Sequence, residues 1–224
     1  MAEIAIAVDG PGSSGKGTVA RRVAEVLGYQ FVDTGAMYRA VGLAMLRSGL
    51  DPRDESAASA AAQALRFRFA FVAGALHVEA NGEDITMEIR GEAVGAAASA
   101  VATHPGVRAA LLGLQRELGA RGGVVMDGRD IGTVVLPKAE LKVYLDASLD
   151  ERARRRWMES PERAFEDVRA ELAARDHQDI TRLVAPLQCA PDAIRLDSTG
   201  SSIETIVSAI VVLAEARRGR DRPA

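Results

Sequence analysis

Four glycines crowd one lysine in Val8–Ala20, VDGPGSSGKGTVA, and that pattern belongs to phosphate chemistry. Gly10 is followed by four residues and then Gly15-Lys16, the spacing of a P-loop. Such a loop would wrap an anion with Gly10, Pro11, Gly12, Ser13, Ser14, Gly15, Lys16, Gly17 and Thr18. Its backbone N–H groups point inward, the helix that follows adds partial positive charge, and Lys16 adds a mobile point charge. A standard P-loop carries Ser or Thr directly after the lysine; here Gly17 intervenes and the hydroxyl comes from Thr18. The bland alternative is a glycine turn beside a surface lysine. It explains neither the apolar run before the loop nor the helical pattern after it.

The elements that must hold this loop show as short apolar runs between helical patterns: IAIAV (4–8), FV (31–32), VVM (124–126), LKVYL (141–145) and AIRL (193–196). Their alternation with helices predicts an α/β fold, a five-stranded parallel sheet flanked by helices. Each run is followed by an aspartate, Asp9, Asp33, Asp127, Asp146 or Asp197, where a parallel sheet opens its ligand crevice. Some of these acids should face the crevice and the others should cap turns or helices.

Residues 66–85 change period. RFRFAFV and LHVEANGEDI alternate polar and apolar positions around Ala73-Gly74, which predicts an antiparallel hairpin inserted in the core. The alanine-rich stretches 55–65 and 92–103 read as helices. Ser201-x-x-Glu204 reads as a capping box opening a last helix, and the tail RGRDRPA as frayed.

Composition narrows the class. In 224 residues, 48% are hydrophobic, enough for a substantial core, and no apolar run reaches the length of a membrane span. The net charge of -3 gives no sign of polymeric nucleic-acid binding. The single cysteine, Cys189, fits a reducing compartment and excludes a cysteine-rich metal site, so cytoplasm is the expected location. Lysine occurs only at 16, 138 and 142 among 28 basic residues, so an arginine alone says little about a site. His77, His104 and His177 form no spaced cluster and receive no role.

The GKGT ending resembles the nucleoside monophosphate kinases, and the absence of an NKxD guanine-reading motif argues against GTPase switches. Four further stretches resemble the bacterial cytidylate kinases: VDTGAMYRAVG (32–42), VMDGRDIGTVV (125–135), ARDHQDITRLVAPL (174–187) and LDSTGSSIE (196–204). The likeness runs from about residue 4 to about 212. It implies a core at 1–34 and 101–150 and a monophosphate-binding insertion at 35–100, with the small antiparallel sheet. It also implies a lid at 151–165 and a return to the core with the C-terminal helix at 166–224.

The resemblance also implies roles. Arg39, Arg129 and Arg182 match acceptor-phosphate ligands and, with Lys16, make the catalytic set; planar guanidinium forks suit phosphate oxygens. Arg175 and Asp179 match ribose ligands. Ser99, Arg108 and Asp130 match the readers of cytosine, and Thr34 is a further nucleotide contact. Arg152, Arg155 and Arg156 in the lid are candidate clamps on ATP, although an arginine-rich amphipathic helix would look the same. Asp127 and Asp33, with Thr18, are candidates to hold Mg2+, in part through water. The implied reaction passes the γ-phosphoryl group of ATP to CMP, and to dCMP, in a monomer that meets no membrane. A kinase for UMP or shikimate is the nearest alternative, and a nucleotide-sensing switch without an acceptor is the rival class.

Overall fold

The computed structural model describes residues 3–72 and 75–218, which form two units: Met1–Val32 with Leu118–Ala224, and Asp33–Glu117. The turn at Ala73-Gly74 and the tail beyond Arg218 lie outside the described residues.

In the first unit, β1 (Ala5–Asp9), β2 (Gln30–Asp33), β6 (Val124–Gly128), β7 (Leu141–Asp146) and β8 (Ile194–Asp197) make one sheet in the order β2-β6-β1-β7-β8. The expected parallel sheet is present. The registers pair Ala7 with Met126, Val8 with Val143 and Leu145 with Leu196. Ile6, Ala7 and Val8 are fully buried, as an unalternating apolar run in the middle of a covered parallel sheet should be. The helices α1 (Lys16–Leu27) and α8 (Ile203–Arg218) supply Val19, Ala20, Val23, Ile206, Val207 and Ile210 to a core shared with Ile4, Ile6, Val125, Val143 and Leu145. The strand order reverses at β1, so the loop that leaves it opens on the crevice typical of such sheets.

The hydroxyl that caps α8 is one residue later than the capping box predicted. Ser202, not Ser201, accepts from the Thr205 amide at 3.2 Å, because the helix begins at Ile203. Two more helices, α6 (Leu149–Glu159) and α7 (Phe165–Thr181), pack through Ala153, Val168 and Leu172, with Trp157 and Phe165 alongside. Ser148 caps α6 by accepting from the Glu151 amide at 3.2 Å.

The second unit holds α2 (Thr34–Arg47), α3 (Glu55–Ala64), α4 (Glu92–Val101), most of α5 (Pro105–Gly119) and an antiparallel sheet β3-β4-β5 (Phe67–Val72, Ala75–Ala80, Glu83–Asp84). A short 3-10 turn, Glu88–Arg90, follows β5. Both alanine-rich stretches are helices. The unit reaches Glu117, so residues 101–117, expected with the core, cluster with α2 and α4 instead. Its interior is Ala36, Ala40, Leu43, Val78, Ile85, Ile89 and Val94. The α2–α4 contact is close: a Cβ on Gly42 would stand 2.9 Å from the Ala98 amide nitrogen. Among the described residues no helix is long and apolar enough to cross a membrane.

Candidate active site

The P-loop joins β1 to α1. A Cβ on Gly10 would lie 2.1 Å from the Leu145 carbonyl oxygen, so only glycine lets the loop leave β1 against the end of β7. Ser13 (φ 58°) and Gly15 (φ 86°) take the left-handed conformation that curls the loop over the start of α1. Lys16 Nζ donates to the Pro11 carbonyl at 3.2 Å, bridging the loop.

A cavity of about 560 Å³ opens here, lined by Ser13–Val19 and, from farther along the chain, by Glu151, Arg154, Arg155, Glu159, Ser198, Ser201, Ser202, Ile203 and Ile206. The structure separates Arg152, Arg155 and Arg156, which share α6. Arg155 lines the cavity and donates to the Ser14 carbonyl (3.2 Å), Ser198 Oγ (3.1 Å) and the Ser198 carbonyl (2.7 Å). Arg152 is buried, 6% exposed, behind the loop. It is held by Asp176 at 2.6 Å and donates to the Ala147 and Gly12 carbonyls at 3.0 and 3.3 Å. It therefore braces the loop rather than lining the cavity. Arg156 pairs with Glu159 on the surface and does not line the cavity either. Arg154, not singled out from the sequence, does line it and is held by Glu151. Ser198, Ser201, Ser202 and Ile203 come to the cavity from the LDSTGSSIE stretch, in which the sequence marks Ser201 only as a helix cap.

Asp127 is 6% exposed at the end of β6, and a Cβ on Gly17 would lie 3.3 Å from its Oδ2. The glycine that displaces the usual hydroxyl thus gives room to a carboxylate at the first turn of α1, next to Thr18. A carboxylate and a hydroxyl beside a phosphate cradle are the hard oxygen donors that Mg2+ takes, with the remaining positions left to water and phosphate. Among the described residues no group of three or more His, Cys, Asp or Glu forms a protein-only metal cage. Asp33 is used differently: it caps α2, accepting from the Ala36 amide at 3.1 Å.

Asp9 turns inward. Its carboxylate, 4% exposed, accepts from the Ile131 and Gly132 amides at 2.8 and 2.7 Å, and so anchors the π-helical turn Ile131–Val135 that follows Arg129 and Asp130. Burial pushes this carboxyl up to about 6, against the opposing pull of those two amides.

Four charged groups meet beside the P-loop. Arg129 Nε donates to Asp179 Oδ2 at 2.8 Å, Arg182 Nη2 to Asp130 Oδ1 at 3.3 Å, and Arg182 Nη1 stands 3.6 Å from Asp179 Oδ1. A Cβ on Gly12 would lie 3.8 Å from Arg129 Nη2, which puts this guanidinium against the loop. Burial alone would raise the Asp179 carboxyl, but the charge and hydrogen bond of Arg129, with Arg175 and Arg182 beyond, hold it below the usual carboxylate range. Burial disfavours the Arg129 charge, and Asp179 more than restores it. Arg182 Nε also donates to the Ala185 carbonyl at 2.7 Å. Arg129 and Asp130 follow β6, and Arg175, Asp179 and Arg182 lie along α7 and at its C-terminal end; the first unit brings these two segments together.

In the second unit, Thr34 is buried at the start of α2 and Ser99 is half-buried on α4. Arg39 donates from Nη1 to the Ile89 carbonyl at 3.1 Å and, with Asp33, Thr86 and Arg90, borders a smaller cavity of about 260 Å³. Arg108 is 8% exposed on α5, donates to the Ala102 carbonyl at 3.3 Å, and lies over the ring of Tyr38, 5.4 Å from its centroid.

Comparison with known proteins identifies the family. The sequence model of the family described as cytidylate kinase matches residues 6–216. The cytidylate kinase of Geobacillus kaustophilus is 47% identical over 220 residues, covering 96% of this chain and 98% of the relative. That of Enterococcus faecalis is 46% identical over 214 residues, covering 94% and 95%. An uncharacterized protein from Eubacterium ventriosum shares the fold at a TM-score of 0.55 and 10% identity, over 96% of this chain and 99% of that one. Identity of this order over nearly the whole of both chains, around a P-loop with a carboxylate and paired arginines beside it, establishes that the chain belongs to the cytidylate kinase family of ATP-dependent nucleoside monophosphate kinases.

Proposed function

We propose that this chain passes the γ-phosphoryl group of Mg·ATP to CMP and dCMP, giving ADP with CDP or dCDP. The observation that carries the reading is the largely buried Arg129–Asp179–Arg182–Asp130 quartet, whose Arg129 is seated against Gly12 of the P-loop. The P-loop with Lys16 binds the donor phosphates, and Arg154 and Arg155 border the space above them. Arg39, Arg129 and Arg182 receive the acceptor phosphate, Arg175 and Asp179 the ribose, and Thr34, Ser99, Arg108 and Asp130 the nucleoside. On this reading the Asp33–Glu117 unit is the acceptor-binding unit and 151–165 is the lid. The enzyme acts on free nucleotides as a cytoplasmic monomer.

Transfer needs alignment and charge neutralisation more than proton chemistry. A phosphate monoester is already an adequate nucleophile, so no base has to remove a proton. Guanidinium groups held in place by carboxylates are oriented before the substrate arrives, so little reorganisation accompanies the developing charge. Thr18 and Asp127 would hold Mg2+, which would supply positive charge to offset that of the donor phosphates. Asp130 accepts a hydrogen bond from the amino group of cytosine, where uracil would present a carbonyl oxygen.

A coupled ADP-release assay with ATP alone and with CMP, dCMP or UMP tests this. Turnover should depend on acceptor, with CMP and dCMP well ahead of UMP. Hydrolysis of ATP indifferent to CMP would make the chain a switch and overturn the reading, and a preference for UMP would move it to the alternative acceptor.

A further inference from the structure

We infer that Tyr38 is a specificity-determining positioning residue: its ring holds the Arg108 guanidinium in the plane from which it reads the acceptor base. The inference rests on the assignment of Arg108 to base recognition made above.

A guanidinium reads a base edge only if its plane is fixed, because its N–H donors lie in that plane. Arg108 is a long side chain in the second turn of α5, and rotation about its four side-chain bonds would otherwise sweep the fork through a wide arc. Two of its contacts bear on its orientation. Nη1 donates to the Ala102 carbonyl at the C-terminal end of α4, fixing one edge of the fork. The central carbon of the fork, Cζ, lies over the ring of Tyr38, 5.4 Å from its centroid, and the residue as a whole is only 8% exposed. Buried cation–π contacts are the stronger ones, because water does not compete for the charge.

Tyr38 is held in turn by α2. Gly42, one turn further and on the same face, brings α2 within a methyl's width of Ala97 and Ala98 on α4. The close approach at Gly42 and the platform at Tyr38 are therefore one arrangement: α2 comes near enough to α4 for its aromatic ring to reach a side chain anchored at the end of α4. The partners are 70 positions apart in the chain, so only the folded unit joins them.

The test uses the full chain and compares Tyr38→Leu, Tyr38→Phe, Arg108→Met and the Tyr38→Leu/Arg108→Met double variant. Each is assayed for kcat and KM with CMP and with UMP, and for KM with ATP. Tyr38→Leu should raise KM for CMP by about 3- to 30-fold, the range expected for a cation–π contact out of water. The CMP:UMP ratio of kcat/KM should fall, while KM for ATP and kcat hold within about twofold, as loss of binding without loss of transition-state contacts requires. Tyr38→Phe keeps the ring and should restore the ratio. In the Arg108→Met background Tyr38→Leu should have no further effect on it. If Tyr38→Leu does not purify as a folded protein, Tyr38→Met takes its place. Equal losses with CMP and UMP, or failure of Phe to rescue, would reduce Tyr38 to packing or to its hydroxyl and overturn the inference. If Arg108→Met lowers the ratio and Tyr38→Leu does not, the inference fails and base reading by Arg108 stands. If neither lowers it, base reading by Arg108 fails as well.

Discussion

Replacing Asp179 by Asn keeps the size of the side chain and takes one charge out of the buried quartet. Asp179 is the hub: it lies 2.8 Å from Arg129 Nε and 3.6 Å from Arg182 Nη1, and both its own side chain and that of Arg182 are less than a tenth exposed. At an effective dielectric of about 20 these two separations correspond to roughly 6 and 5 kcal/mol of gross attraction. Most of this is offset, because Asn no longer bears the desolvation of a carboxylate and still accepts a hydrogen bond. What remains is the cost of leaving two guanidinium groups facing one carboxylate, about 3–5 kcal/mol for a buried pair broken from one side. Urea unfolding followed by circular dichroism should therefore show a lower midpoint at unchanged slope. Inorganic phosphate, which can stand in for the missing charge, should raise the midpoint of Asp179→Asn more than that of the parent chain. A loss below about 1 kcal/mol with no differential phosphate effect would refute the view that the carboxylates hold the arginines ready.

Lys16→Ala should lower kcat by roughly 10²–10³ with an unchanged circular dichroism spectrum, since the residue opens α1 outside the hydrophobic core and its loss removes one preorganised donor; near-normal turnover would take it out of the mechanism. Asp130→Asn should narrow the CMP:UMP ratio of kcat/KM by an amount equivalent to about 1–3 kcal/mol. Because Asp130 also accepts from Arg182, absolute activity with both nucleotides should fall too, and an unchanged ratio would leave it a purely structural partner. Asp9 should titrate near 6, visible as a carboxyl band in infrared difference spectra that Asp9→Asn abolishes. The folded chain keeps that proton up to about 6 whereas the unfolded chain releases it near 3.8, so in this window the unfolded state binds fewer protons. Asp9's contribution to stability should then fall as pH rises through the window, by on the order of 3 kcal/mol. Asp179 has the opposite sign: its carboxyl is lowered on folding, so its contribution is present above the unfolded value and is lost as pH falls.

Local chemistry made the donor side legible in the sequence. The P-loop is a run of neighbours whose glycines answer to backbone conformation at Gly15 and to close approach at Gly10, and both constraints act within a few residues or on one adjacent strand. The strands were equally plain, since a covered parallel strand must be apolar along its length. Tertiary structure decided which of the charges act beyond their own element. Asp9, Asp33 and Asp127 follow three similar strands, yet one anchors a turn, one caps a helix and one stands beside the P-loop. Arg152, Arg155 and Arg156 share one helix, yet the first braces the loop from behind, the second lines the cavity and the third pairs at the surface. A side chain's spacing sets only the direction in which it leaves its own element. Its partner, its burial and therefore its chemistry depend on what another segment places there, and Arg129 with Asp179, or Tyr38 with Arg108, meet only after the chain has folded.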